Sequence, residues 1–314
     1  MIWGITSLFK KSSNLIMKYF SKLSNNSKAI SFAILTCFLV SILIAIVRHL
    51  SGHFHVFFIV MMRNFFAFAF FIPLMIKNPR QLFKTKKIHL HFLRNLNGLI
   101  AMLIWFYTIT LIPLPEAVSF TFIVPIITTL AAMFFLKEKV HARVWTALAI
   151  GLIGIMVIIR PGFHEFKLAY LLAIITTFLW SISNILVKMM TDTDRPETIV
   201  AYMSFIMLVL SIPLGMMYPA SMNFSDIFWL AMLGLFSNLS HMAMSTAYSK
   251  ADLSVVQPFD FTRLIFTAII SYFAFDESLD FWSGFGALII LFGTIFVAPK
   301  GKRKYDPLTK NNEV

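Results

Sequence analysis

The chain has 314 residues, 59% of them hydrophobic and only 13% charged, whereas a soluble domain is about half apolar and about a quarter charged. About 20 apolar residues carry a helix across a bilayer core roughly 30 Å thick, so the composition predicts a polytopic membrane protein and excludes an ordinary soluble domain. The net charge of +13, from 27 Lys and Arg against 14 Asp and Glu, must then be read on a membrane map before it is read as a nucleic-acid surface.

Residues 1–28 carry Ile5, Leu8, Phe9, Leu15, Ile16, Tyr19, Phe20 and Leu23 at helical spacing with lysines between. This is the pattern of an interfacial amphipathic helix on an anionic leaflet, with a partly disordered basic tail as the alternative. The apolar run precedes the basic residues, so no cleavable signal peptide is expected. Ten apolar segments follow, at roughly 29–48, 55–76, 92–111, 116–136, 143–160, 168–187, 197–218, 226–248, 254–275 and 281–299. The expected fold is all-α, with ten transmembrane helices; a β-barrel would need shorter, alternating segments. Residues 300–314 read as a polar tail, and Cys37 is the single cysteine, so no internal disulfide is available.

With the N-terminus inside, 22 of the 27 basic residues fall on the cytoplasmic side, among them Arg94 at a helix start. Three, Arg48, Arg160 and Lys167, fall on the other side, and Arg63 and Arg263 lie within spans. This positive-inside bias expects both termini in the cytoplasm, a multi-pass protein of a bacterial inner membrane, the lipid bilayer as its surroundings, and no nucleic acid partner.

Polar side chains within spans are costly and face a cavity or one another. Arg63, followed by Asn64, either snorkels, pairs with an acid such as Glu116, or neutralises an anionic group. Trp105, Tyr107, Ser119 and Thr121 are candidate cavity-lining residues, and Glu116 is a proton site or a helix cap. Glu138 and Glu277 close the fourth and ninth segments, where the helix dipole disfavours a carboxylate. A bond to backbone at the start of the next helix is expected for each. Gly151, Gly154, Gly284, Gly286 and Gly293 suggest close packing of segments five and ten, with a homodimer contact as one reading.

Trp180 beside Asn184, with Ser183 and Lys188, suits stacking on a flat or cationic solute, or else core packing. Asn238, His241, Ser245 and Tyr248 form one polar stripe that binds substrate or bonds to neighbouring helices. Asp260 and Arg263, three residues apart behind Pro258, form either a substrate-facing charge pair or a buried salt bridge. The histidines at 49, 53 and 55 lack ligand spacing, so no metal is expected. No cofactor is expected either, since the chain has neither a G-x-x-x-x-G-K-[ST] loop nor a dinucleotide fingerprint.

The chain also repeats itself. At an offset of 140, Ala33, Ile34, Thr36, Phe38, Leu39, Ser41, Ile42 and Val47 recur as Ala173, Ile174, Thr176, Phe178, Leu179, Ser181, Ile182 and Val187, and Ile72-Pro73-Leu74 as Ile212-Pro213-Leu214. At 139, Glu138 recurs as Glu277 and Gly154 as Gly293. Two halves, 29–162 and 168–299, with five spans each, would be inverted relative to one another, an architecture of secondary transporters.

The run Ile112-Pro113-Leu114-Pro115-Glu116-Ala117, then Pro125, Leu136-Lys137-Glu138, Gly151, Gly154 and Arg160-Pro161-Gly162 resembles the EamA repeat of the drug/metabolite transporter superfamily. A second copy runs through Pro258-Phe259-Asp260-Phe261-Thr262-Arg263-Leu264, Phe275-Asp276-Glu277 and Gly293. Lys137, Phe275 and Asp276 depart from the small residue more usual before the Glu. The resemblance implies a secondary transporter of a small polar or zwitterionic metabolite, amino-acid-like or S-adenosylmethionine-like, working by alternating access. The substrate-binding candidates are Arg63, Trp105, Tyr107, Ser119, Trp180, Asn184, Asn238, His241, Asp260 and Arg263. The alternative is an intramembrane enzyme, for which His241 with Asp260 is the one candidate pair, or a flippase acting on a lipid-linked group.

Overall fold

A computed structural model describes residues 23–77, 79–121, 123–159, 168–276 and 281–297. The segment 1–22, the tail 300–314 and Glu277 lie outside the described residues, as do the side chains of Glu116 and Ser119. All regular structure among the described residues is helical. The chain runs through α1 (Asn25–Leu50), α2 (Val56–Lys77), the single turn α3 (Pro79–Leu82), α4 (Ile88–Leu111), α5 (Leu114–Thr121), α6 (Ile123–Phe135) and α7 (Ala142–Ile159). It continues through α8 (Leu168–Thr191), α9 (Pro196–Met216), α10 (Phe224–Lys250), the short α11 (Leu253–Val256), a 3-10 turn (Gln257–Phe261), α12 (Thr262–Phe275) and α13 (Phe281–Val297).

Among the described residues, seven stretches are long and apolar enough to cross a membrane: α1, α2, α4, α8, α9, α10 and the composite Leu253–Phe275. The fourth expected segment is covered by α5 and α6. Around the bundle the apolar residues point outward, with Phe134 and Phe273 77% and 81% exposed. Such a surface is stable against lipid rather than water.

Local chemistry sets the helix ends. Ser24 accepts the Ser27 N–H at 3.1 Å to open α1. Asn223 and Asp226 form a reciprocal capping box at the start of α10, each bond 2.9 Å, satisfying two amides that have no helical partner. At the end of α6 the chain turns through Lys137 in the left-handed region, φ 55°, and at the end of α12 through Asp276, φ 56°. The Glu138 N–H then reaches back six residues to the Ala132 carbonyl at 3.3 Å, satisfying one of the carbonyls left open at the helix end. A small residue is favoured at both sites because a Cβ is strained there.

The principal helix pairings are α1 with α10, α7 with α13, α4 with α8, α2 with α9, α2 with α10, α12 with α1, and α6 with α8. Buried hydroxyls stitch two of these pairs in the same way. Ser41 donates to the Arg263 carbonyl at 3.3 Å, and Ser181 donates to the Val124 carbonyl at 3.4 Å. Donors and acceptors of the two contacts are offset by 140 and 139 residues, the offsets of the sequence repeat. Close crossings use glycine: a Cβ on Gly234 would meet α2 backbone at 2.7 Å, and one on Gly293 would meet Ile150 of α7 at 2.9 Å. Gly284 faces open space.

Candidate functional site

A cavity of about 160 Å³ occupies the centre of the bundle, walled by α1, α2, α4, α8, α10 and the 3-10 turn. Helix α4 contributes Arg94, Gly98, Met102 and Trp105, one stripe at spacings of four, four and three that continues the line of His91. Gly98 leaves room at this wall, since a Cβ there would come within 2.8 Å of the Met207 methyl. Trp105 faces Trp180 of α8 with ring centroids 5.0 Å apart and planes tilted by 58°. Beside Trp180 lie Ser183 and Asn184. Ser183 is held by the Asn97 amide, which donates to its hydroxyl at 2.8 Å.

Two arginines enter the cavity from α2 and α4. Arg63 is 3% exposed; it donates to the Asn64 side-chain oxygen at 2.8 Å, to the Met102 sulfur at 2.7 Å and to the Ser237 hydroxyl. Arg94, 4% exposed, donates to the Asn95 side-chain oxygen at 2.8 Å and lies 3.4 Å from His241 Nδ1. Neither forms an ion pair with a carboxylate among the described residues. An arginine at a helix centre costs about 2.5–3.5 kcal/mol on insertion scales even with ordinary compensation. The side chain of Glu116, the expected partner of Arg63, lies outside the described residues.

On the opposite wall, Asp260 pairs with Arg263. Pro258 within the 3-10 turn interrupts the helical ladder, and the carbonyls of Phe259 and Asp260 accept the Cys37 thiol at 3.7 and 3.8 Å. The salt bridge and the cavity-facing position thus coexist, since both residues line the cavity.

The structure brings Arg63, Trp105, Trp180, Asn184, His241, Asp260 and Arg263 to this one cavity. Asn238 is turned away: it donates to the Ala67 carbonyl at 2.7 Å and accepts from Ser204 at 3.1 Å, fastening α10 to α2 and α9. The polar stripe of α10 is therefore split between packing and cavity. Tyr107 is 50% exposed on the outer face of α4. Lys188 donates to the carbonyls of Tyr248 and Ala251 at 2.8 and 2.9 Å, closing the end of α10 rather than reaching the site. Arg94, counted above with the cytoplasmic cations, is instead buried at the cavity. The stripe His91, Arg94, Gly98, Met102, Trp105 was the signal that could have placed it. Glu138 also differs from expectation: its carboxylate caps α11, not the following helix α7.

An all-helical bundle with an apolar outside and buried charged side chains around a central cavity is the build of a multi-pass membrane transport protein. The EamA-like transporter family model matches the chain twice, over residues 27–160 and 167–298, and the chain belongs to that family. It is 25% identical over 256 residues to an S-adenosylmethionine uptake transporter of Rickettsia felis, covering 82% of this chain and 87% of that protein. It is 31% identical over 233 residues to a riboflavin transporter of Brucella anthropi, covering 71% and 81%. A solved crystal structure shares the fold with a TM-score of 0.69 at 16% identity, covering 87% of this chain and 96% of its own. The chain is a membrane-embedded transporter of a small molecule and not an enzyme. Consistent with that, Asp260 is engaged by Arg263 while the His241 ring lies against Arg94.

Proposed function

We propose that the chain is a secondary carrier that moves a small, flat-ringed polar metabolite across a bacterial inner membrane by alternating access. Its working unit is ten spans in two inverted repeats, 29–162 and 168–299, with both termini cytoplasmic. The central cavity is its binding site. One observation carries the reading: Trp105 from one repeat and Trp180 from the other meet across the cavity at 5.0 Å. Rocking of the repeats changes the space between such rings, and substrates of inverted-repeat carriers sit at the repeat interface. Support for the repeats comes from the paired hydroxyl contacts of Ser41 and Ser181 and from the matched pairings of α1 with α10 and α4 with α8.

Arg63, Asn184, His241, Asp260 and Arg263 supply the polar contacts around a ring placed against the tryptophan pair. S-adenosylmethionine and riboflavin, the compounds in the relatives' names, both carry a flat heterocycle suited to that place. Purified protein in liposomes, presented with radiolabelled S-adenosylmethionine, riboflavin, nucleosides, nucleotides and aromatic acids, tests the reading. Saturable uptake of at least one ring-bearing compound is expected, reduced about tenfold or more by Trp180→Ala. Folded protein that takes up none of them would overturn it.

A further inference from the structure

The charges lining the cavity do not balance. Arg63, Arg94 and Arg263 face a single carboxylate, Asp260, among the described lining residues, and that carboxylate is committed to Arg263. Two guanidiniums remain, and an arginine side chain stays charged at any physiological pH. Their present partners are poor matches for a cation: a thioether, two side-chain amides, a hydroxyl and a ring nitrogen at 3.4 Å. The Nε–H of each has no hydrogen-bond partner among the described residues, although both residues are more than nine-tenths buried. Arg63 and Arg94 are close enough to act on one another electrostatically, and both act on His241.

A guanidinium presents five N–H donors in a planar fork that fits a carboxylate or phosphate two bonds at a time. Here two forks approach the same cavity from neighbouring helices, with no protein anion among the described residues to receive them. The tryptophan pair offers a face for a ring, and both arginines line the same cavity. We infer that the cargo is a flat-ringed organic anion whose carboxylate or phosphate docks between Arg63 and Arg94. The inference rests on the carrier reading above and adds the sign of the charge it carries. A cargo with net positive charge, S-adenosylmethionine included, would meet two unneutralised cations and is disfavoured, which narrows the flat-ringed class proposed above to its anionic members.

Two pairs of compounds isolate the charge: nicotinamide against nicotinate for a carboxylate, and adenosine against AMP for a phosphate. Binding of each to the purified full-length protein is measured by ligand-dependent thermal stabilisation. The acid of at least one pair is expected to bind about tenfold or more tightly than its neutral partner, and the preferred pair tells carboxylate from phosphate. Arg94→Gln should remove that preference, whereas Trp180→Ala should weaken both members of a pair alike. Should Arg94→Gln fail to fold, Arg94→Lys keeps the charge without the fork and is expected to give an intermediate preference. Equal affinity within both pairs, or a preference untouched by the Arg94 variants, would overturn the anion site while leaving the carrier reading intact. Binding of none of the four alongside uptake in the liposome panel would likewise overturn the anion site. No binding and no uptake would overturn both.

Discussion

The carboxylate of Glu138 receives the backbone N–H of Leu253 at 3.0 Å, 115 residues further along the chain, and that of Ser254 at 3.1 Å. Helix α11 thereby gains a cap that its own N-cap residue, Asp252, does not supply through its side chain. The end of α6 and the start of α11 are fixed together, and the 3-10 turn that carries Asp260 to the cavity follows directly. Glu138→Ala leaves two buried amides without an acceptor. It should destabilise the protein by about 1–3 kcal/mol, read from denaturation in detergent, with Glu138→Gln losing less.

Lys137 and Asp276 hold left-handed backbone, φ 55° and 56°, where a Cβ is strained. Glycine relieves the strain at the cost of greater freedom in the unfolded chain. Lys137→Gly should stabilise the protein by about 0.5–1 kcal/mol without altering uptake, measured as a raised thermal midpoint at unchanged transport rate. A lowered midpoint would show that the Lys137 side chain makes a contact that outweighs the strain.

Asp194 ties the connection between α8 and α9 to the start of α4. It accepts from Thr85 at 2.6 Å and Thr193 at 3.0 Å and lies 2.7 Å from His91 Nε2. The cluster closes the bundle at one end of the His91 to Trp105 stripe. Asp194→Ala should lower stability by about 1–3 kcal/mol. It should also speed labelling of a cysteine placed at Ser183 by an impermeant thiol reagent added on that side. Unchanged labelling would show that the cluster holds the fold and does not gate the cavity.

Gly98 gives a test that separates space from stability. The Cβ of Gly98→Ala comes close only to the flexible end of Met207, 2.8 Å away, with the Ser183 hydroxyl in ordinary contact at 3.9 Å, and alanine is favoured in a helix by about 1 kcal/mol. Gly98→Ala should therefore hold or raise the thermal midpoint, while Gly98→Leu, which fills the cavity wall, should abolish uptake. Full uptake by a folded Gly98→Leu protein would place the transport path elsewhere.

The helical class, most spans and the pairing of Asp260 with Arg263 were legible in the sequence because hydropathy and i, i+3 spacing are local. Trp105 and Trp180 were readable as candidates, yet nothing local says that their rings meet, since the contact joins residues 75 positions apart. Arg94 was misplaced for a physical reason: a cation near a helix start looks the same in sequence whether it snorkels to the interface or turns inward. Asn238 and Tyr107 erred the other way. A polar amide satisfied by the Ala67 carbonyl and a tyrosine at the outer surface leave the same imprint in a stripe as residues facing a cavity. Glu138 announced by its repetition that it binds something specific, but its partner lies in the other half of the chain.

Binding of cargo in the cavity lined by Trp105 and Trp180 is tested most directly by substrate protection. Cys37 is the single cysteine and is buried, so a Cys37→Ser background with Ser183→Cys carries one reporter on the cavity wall. Labelling of that thiol should be blocked by the transported compound, with half-protection at the concentration that half-saturates uptake. A labelling rate that stays constant at saturating, actively transported substrate would contradict the account.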